Sequence, residues 1–338
     1  MTNLHTIHTL SDIYVGGAES CLDSLVAGRR VIVITDPNID RLYPSLVHRY
    51  EHIIVGYGET SKTLITVQNI YTQLMELGAD RTTLLLGIGG GIVTDITGYV
   101  AATYMRGVEF GFISTTLLGQ VDASVGGKNG VNVKDYKNMV GTFAQPRFVI
   151  SDVEMLRTLP LRELRAGIAE VIKVGILGDS ELFGYLEQHA CDTIFNNTDI
   201  MQQVVLSAIR LKVDIVERDE RESGIRRLLN LGHTIAHAIE KCTRAVNHGE
   251  AVAMGLSAIA HASVRRGLLA TSDCERIDSL LAAFGFEITP PVSMADILRE
   301  VRLDKKKSGD NIRVVMPESI GRCRIVEMPF SEFEEMFN

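Results

Sequence analysis

The chain has 338 residues, 46% apolar and 22% charged: enough for two domains with cores of their own, and too apolar for a disordered chain. Its net charge of −8 argues against nucleic acid or an anionic membrane as a partner, but leaves anionic metabolites open to local Lys and Arg clusters. No apolar run approaches the roughly 20 residues of a membrane span, Met1 to Leu10 lacks the pattern of a signal peptide, and five scattered cysteines with no CxxC pair read as reduced thiols of a cytoplasmic protein.

In chain order, Val31 to Thr35 is a short β-branched run that reads as a buried parallel strand. It delivers Asp36, Pro37 and Asn38 to its carboxyl end, where ligands collect in open α/β sheets. Ile53 to Val55 is a second strand, followed by the turn Gly58-Glu59-Thr60-Ser61-Lys62 and a helix running towards Leu77. Thr83 to Ile88 is a third strand. It breaks into Gly89-Gly90-Gly91 before an apolar helix, Ile92 to Thr103. Strands alternating with helices predict a doubly wound parallel sheet. The glycine run lets a phosphate approach backbone N–H groups at a helix start. It departs from the GxGxxG fingerprint, because Ile92 stands at the third glycine position and no acid follows about 20 residues later. The alternative is a tight turn that needs glycine for steric reasons. After Tyr104-Met105-Arg106-Gly107 and a strand near Phe110 to Ser114 comes the densest polar stretch of this half, Thr115 to Asn132, then Lys137-Asn138. Mixing Gly with Asp122 and Lys128, it reads as irregular backbone lying against a ligand or a subunit.

From about Ser151 helical patterns take over: Arg162 to Leu177, Ser180 to His189, Asp199 to Glu217, Arg227 to Ala245, Ala251 to Arg266 and Cys274 to Phe284. The expected architecture is an α/β domain at 1–150 and an all-α domain at 151–338, joined around Pro146 to Asp152. A late hairpin, Ile312 to Met316 with Cys323 to Val326 and a turn at Ile320-Gly321, closes the sheet or packs on the helices. Glu170 and Lys173 are three apart on the first of these helices, where Ala166, Gly167, Ile168, Val171 and Ile172 leave little exposed face. They read as a buried pair. If Arg227 to Ala245 is one helix, Asn230, His233, His237 and Glu240 share a face, with Arg226 one turn earlier. Such a stripe needs buried partners and reads as the wall of a polar site. Two His four residues apart suggest a zinc helix, but Thr234 occupies the place of the catalytic Glu of HExxH, which excludes that metalloprotease reading. Two His and a carboxylate from elsewhere, Glu170 for one, remain a zinc set with an open position; the alternative is histidines bonded to neighbouring helices. His248-Gly249-Glu250 follows directly. Asp304-Lys305-Lys306-Lys307 reads by itself as a solvated loop.

These motifs together resemble the 3-dehydroquinate synthase family, within the sugar-phosphate cyclases and related to the iron-containing alcohol and glycerol dehydrogenases. The resemblance runs nearly end to end: TDPN at 35–38, GE..K at 58–62, GGG...D at 89–95, Y.RG at 104–107, TTLL.QVDASVGGK..VN at 115–132, KN at 137–138, E..K at 170–173, R...N.GHT..HA.E at 226–240, HGEAVA.G at 248–255 and DKK at 304–306. Gly119, where many members have Ala, and Asn129-Gly130 are local variations that remove no functional side chain. The resemblance implies an N-terminal NAD-binding domain of Rossmann-like parallel sheet, a helical zinc-binding domain and a site in the cleft between them. It implies Glu170, His233 and His248 as ligands of Zn2+, with Co2+ as a substitute, and gives His237 to the substrate instead of the metal. Asp122, Lys128, Asn138, Lys173, Lys212, Arg226 and Asn230 are implied as substrate contacts, with Lys305, Lys306 and Arg106 gripping phosphate, Arg106 from the neighbouring subunit of a homodimer. Asp36, Asn38, Glu59, Lys62, Gly89, Gly90, Gly91, Asp95, Thr115, Thr116, Leu118, Lys128 and Lys137 are implied as the NAD site, and Lys128, Lys173, Asn138, His237 and Glu222 as catalytic.

The activity so implied is conversion of 3-deoxy-D-arabino-heptulosonate 7-phosphate to 3-dehydroquinate and phosphate, by transient NAD oxidation, phosphate elimination, re-reduction and an intramolecular aldol. Three rivals stand beside it. A sister cyclase acting on another sugar phosphate is the nearest. An NAD- and metal-dependent alcohol dehydrogenase has no use for so many aligned cations. A metabolite-binding protein without activity has no need of complete ligand and cation sets.

Overall fold

The computed structural model describes residues 4–134, 136–189, 191–305 and 310–337, without the side chains of Glu19, Asp304 and Lys305. The chain divides into two compact units, Met1–Pro160 and Leu161–Asn338. The division falls later than the expected boundary at 150, because the stretch after the last sheet strand is bonded back into the first unit. Gln120 Nε2 donates to the Asp152 carbonyl (2.8 Å) and the Tyr43 hydroxyl to the Met155 carbonyl (3.2 Å), while Asp152 Oδ2 accepts from the Ala18 amide (2.8 Å).

The first unit runs β1 (His5–His8), β2 (Asp12–Val15), α1 (Ala18–Val26), β3 (Val31–Thr35), α2 (Pro37–Leu42), α3 (Pro44–Val47), β4 (Glu51–Ile54), α4 (Leu64–Glu76), β5 (Leu84–Gly89), α5 (Gly91–Thr103), β6 (Phe110–Ser114), β7 (Lys128–Val133), β8 (Tyr136–Phe143) and β9 (Phe148–Ser151). Seven strands form one sheet in the order β1-β2-β9-β6-β5-β3-β4. It is parallel except for the hairpin of β1 with β2 at its edge. Every residue of β3, β5, β6 and β9 is buried, which is why each reads as an unbroken apolar run instead of an alternation. After β3 the chain goes to β4 on one side, then crosses to place β5 on the other. The order therefore reverses between β3 and β5, and their carboxyl ends lie side by side: Thr35 pairs with Ile88, and the Thr35 hydroxyl donates to the Ile88 carbonyl at 2.7 Å.

The polar stretch 115–132 is more regular than expected. A π-helical turn, Gly119–Ala123, follows the Thr115-Thr116 bend, and β7 then pairs antiparallel with β8 as a separate hairpin. Three-residue spacing and alternation overlap too closely in such short elements to be separated by periodicity.

The second unit holds α6 (Leu161–Gly178), α7 (Ser180–Gln188), α8 (Cys191–Asn196), α9 (Thr198–Arg218), α10 (His233–Cys242), α11 (His248–Arg265), α12 (Thr271–Ala283), α13 (Met294–Lys305), β10 (Asn311–Ser319), β11 (Arg322–Pro329) and α14 (Phe330–Glu335). It is not all-α. The expected hairpin forms a two-stranded sheet of its own, and its tip docks on α6, where the Gly321 amide donates to the Ile176 carbonyl at 3.0 Å. α6 is buried without interruption from Ala166 to Leu177, the pattern of a helix surrounded by others.

Two further expectations are corrected. The helix expected from Arg227 to Ala245 is broken. A 3-10 stretch, Ile225–Asn230, gives way at Gly232 (φ 77°), and α10 starts afresh at His233. Arg226 and Asn230 therefore do not continue the face of His233, His237 and Glu240. The three- and four-residue spacing runs through the break because 3-10 and α turns differ by less than a residue. The start of the expected DKK loop is also altered: α13 continues to Lys305, whose side chain is not described, while Lys306 and Lys307 lie outside the described residues.

Candidate functional site

In the second unit three helices bring Glu170, His233 and His248 together. Glu170 projects from the middle of α6, His233 is the first residue of α10 and His248 the first of α11. Glu170 Oε1 lies 3.4 Å from His233 Nε2 and 3.2 Å from His248 Nε2. Zinc–ligand bonds of about 2.0–2.2 Å make the edge of a tetrahedron about 3.3–3.6 Å long, so these separations suit three donors on one ion. Each imidazole is anchored by its other nitrogen. His233 Nδ1 is 3.0 Å from the Leu231 carbonyl, and His248 Nδ1 is 3.5 Å from Glu240 Oε2. An acceptor behind Nδ1 holds the proton there and leaves the Nε2 lone pair for a cation. Lys173 Nζ contacts the other Glu170 oxygen, Oε2, and both residues are buried.

Charge is finely set here. Burial works to raise the Glu170 carboxyl, but the Lys173 ammonium and the His233 ring outweigh it and hold it well below the usual carboxylate range. Burial lowers the His248 ring, yet its bonds to Glu170 and Glu240 push it up to about 10. The pocket thus draws positive charge to the ring, and a metal bound at Nε2 would displace a proton. His237 stands one turn beyond His233, its ring 5.3 Å from that of His233 and 6.5 Å from that of His248. A cavity of about 570 Å³ takes in His233, His237, Asn230 and Glu222 together with Arg227 and Lys241. Asn230 Nδ2 donates to Glu222 Oε1 at 2.7 Å, and Glu222 itself has φ 58°. Lys212 on α9 and Arg226 are buried cations. The Arg226 guanidinium donates to the Glu220 carbonyl, and its backbone N–H to Asp219 Oδ2 at 3.0 Å. Asp219 also accepts from the amides of Ser223 (2.9 Å) and Gly224 (2.7 Å) and from the Ser223 hydroxyl. Burial raises its carboxyl, but these donors prevail and bring it down to about 2.

In the first unit the carboxyl ends of β3 and β5 carry the expected dinucleotide residues. Asp36 caps α2, accepting from the amides of Asn38 (2.8 Å) and Ile39 (3.2 Å). The glycine run turns from β5 into α5 with Gly90 at the cap. A Cβ on Gly90 would lie 2.8 Å from Thr116 Cγ2, and one on Gly89 2.6 Å from Val93. The steric demand for glycine is therefore met in full, alongside any demand from a ligand. Thr115 donates its amide to the Gly89 carbonyl, Thr116 Oγ1 accepts from the Gly119 amide (both 3.0 Å), and Leu118 precedes the π turn. Lys62 is buried; its ammonium pairs with Asp95 and donates to Asn138 Oδ1 at 2.6 Å. Burial pushes the Asp95 carboxyl up to about 6, although Lys62 opposes the rise. Asp122, in the π turn, is half-buried, and Lys128 and Lys137 lie exposed on the β7–β8 hairpin. Arg106 is exposed in a turn where it and Met105 both have positive φ, 70° and 49°.

The part that several organising residues play is not visible in the sequence. Asn132 ties the first unit's network together: its Nδ2 donates to Glu59 Oε1 (2.7 Å) and its Oδ1 accepts from the Asn138 amide (2.9 Å). Asp219 gathers its loop, and Glu240 backs His248. Their partners stand far off in sequence or in irregular loops, where no periodicity marks them; only Glu240 carried a signal, its place on the face of His233 and His237.

Two family models cover most of the chain: 3-dehydroquinate synthase N-terminal matches residues 52–166, and 3-dehydroquinate synthase C-terminal matches residues 167–307. A 3-dehydroquinate synthase of Rippkaea orientalis is 39% identical over 328 residues, covering 93% of this chain and 89% of that protein. Another, of Dictyoglomus thermophilum, is 42% identical over 277 residues, covering 81% and 78%. Among solved structures, the 2-epi-5-epi-valiolone synthase of Streptomyces hygroscopicus, with NAD+ and Zn2+ bound, superposes with a TM-score of 0.88 at 28% identity, over 99% of this chain and 97% of that one.

Proposed function

Because the chain belongs to the 3-dehydroquinate synthase family, we propose that it converts 3-deoxy-D-arabino-heptulosonate 7-phosphate to 3-dehydroquinate and inorganic phosphate, using NAD+ catalytically and a bound Zn2+. One observation carries the reading: Glu170 presents one oxygen to His233 and His248 and the other to Lys173. Glu170, His233 and His248 are the residues that hold the metal. Bound there, Zn2+ supplies a Lewis acid for adjacent hydroxyls of the substrate, and NAD+ supplies a hydride acceptor that is restored within the turnover.

The chain's own part is to bind, orient and move protons. Lys173 keeps Glu170 ionised and fixed. Lys212 and Arg226, as buried cations, bind the anionic sugar with Asn230; away from water each acts more strongly than it would at the surface. His237 orients the ligand, and Glu222, steadied by Asn230, carries a proton. Asp122, Lys128 and Asn138 are further substrate contacts, and Arg106, Lys305 and Lys306 grip the phosphate. Asp36, Asn38, Glu59, Lys62, Gly89 to Gly91, Asp95, Thr115, Thr116, Leu118 and Lys137 take the dinucleotide. The reversal of strand order between β3 and β5 supports that assignment, since ligands of doubly wound sheets bind at such a crevice. The same reading makes the enzyme a cytoplasmic homodimer with Arg106 serving the neighbouring site. Two adjacent non-glycine residues at positive φ, Met105 and Arg106, are the kind of strain that persists where a side chain is held out for a purpose. No helix among the described residues is long and apolar enough to cross a membrane.

The test is product identity. With the heptulosonate phosphate and trace NAD+, mass spectrometry and NMR should find 3-dehydroquinate and one equivalent of phosphate with no lasting NADH absorbance. Stoichiometric NADH would mean an alcohol dehydrogenase. Turnover of a different sugar phosphate only would mean a sister cyclase.

A further inference from the structure

His248 is held at the start of α11, and what fixes that start lies outside the site. Asn247 and Glu250 form a reciprocal capping box: Asn247 Oδ1 accepts from the Glu250 amide (2.9 Å) and Glu250 Oε2 from the Asn247 amide (2.8 Å). Both Glu250 oxygens are also gripped by Arg162, in the first turn of α6, with Nε to Oε1 at 2.8 Å and Nη2 to Oε2 at 2.7 Å. The same Nη2 donates to the Ala245 carbonyl at 3.0 Å, on the other side of the cap. One turn further along α6, Gly249 lies against the helix backbone: a Cβ there would sit 2.2 Å from Ala166 Cα. Glu170 follows one turn later still. The carboxylate and the imidazole are thus carried by two helices locked together at Arg162 and at Gly249.

We infer that Arg162, acting through Glu250, is a positioning residue for the metal centre, setting the separation of His248 from Glu170. An exposed ion pair is ordinarily worth little. This one is a planar two-point fork on a helix cap, where a small rotation is passed directly to the next side chain. The inference rests on Glu170, His233 and His248 holding a metal. Residues that orient ligands from behind typically change metal affinity 10–100-fold when removed, and the fork acts one step further out, so about tenfold is expected.

The experiment titrates Zn2+ into the chelator-stripped full chain in competition with a chromophoric indicator, beside thermal unfolding of the metal-free protein. Arg162→Met, which keeps the aliphatic stem, and Glu250→Gln, which keeps the cap acceptor, should each weaken Zn2+ about tenfold, and Arg162→Lys should recover little because it has no fork. Glu170→Ala is the control. If Glu170→Ala loses Zn2+ while the Arg162 and Glu250 variants bind it as the wild type does, the positioning role is wrong and the metal reading stands. A merely structural clamp would lower the melting temperature of the metal-free chain without changing the affinity of its folded fraction, and that result also overturns the role. Should Glu170→Ala bind Zn2+ normally, both fall.

Discussion

Two histidines one helical turn apart have different surroundings. Both line the cavity, but it is His233 that has the Leu231 carbonyl at its back and Glu170 in front. His233→Ala should therefore lose Zn2+ by elemental analysis. His237→Ala should keep most of it and lose about 10²-fold or more in kcat, the scale of a positioned acid–base group; equal metal loss in both would reverse the assignment. Chelation should abolish turnover, with Zn2+ or Co2+ restoring it. Glu170→Gln removes the carboxylate charge that pairs with the buried Lys173, and breaking a buried pair commonly costs about 3–5 kcal/mol; urea unfolding of the metal-free chain would show it. The burial of this pair was legible, because Ala166, Gly167, Ile168, Val171 and Ile172 leave α6 no solvent face. Asp219 was not: its four donors come from the turn at Ser223 and Gly224 and from Arg226 in the 3-10 stretch after it, and neither has a period to read.

The elements of the first unit were the most legible, since strands buried on both faces are unbroken apolar runs. The junction before α10 was the least. Its polar residues keep a helical spacing across a break that only the backbone of Gly232 reveals, with φ 77° and a Cβ site 3.0 Å from the Leu256 amide. Gly232→Ala should thus destabilise the chain by about 1–3 kcal/mol and weaken Zn2+ by moving His233. A stable variant with unchanged affinity would show that the break does not set the site. In the first unit, the cradle of Lys62, Asp95 and Asn138 has its own pH signature. Asp95 titrates at about 6 instead of the ordinary 3.8, so between these values the native state keeps a proton that the unfolded chain has released. By linkage, its contribution makes stability fall as pH rises through that window. Urea midpoints from pH 4 to 7 should show this fall in the wild type and not in Asp95→Asn. Parallel curves would mean that the carboxyl is not raised.

At the scale of the whole molecule, the proposed sharing of Arg106 gives a test by mixing. Arg106→Ala and Lys173→Ala should each be nearly inactive. Refolded together, half the dimers pair one of each, and each such dimer holds one intact site, so about a quarter of wild-type activity should return. A mixture that stays inactive while heterodimers are present would mean that Arg106 serves its own chain. The meeting of α10 and α11 at Glu170 has an electrostatic consequence as well. Each begins with a histidine that reaches Glu170, so the N-terminal ends of two helix macrodipoles, roughly half a positive charge each, lie near one carboxylate. A cation alone is disfavoured between two such ends and needs the Glu170 charge beside it. An oxyanion arriving later meets a field already turned in its favour. Inorganic phosphate and sulfate should accordingly compete with the substrate, and kcat/KM should fall as ionic strength rises and screens that field.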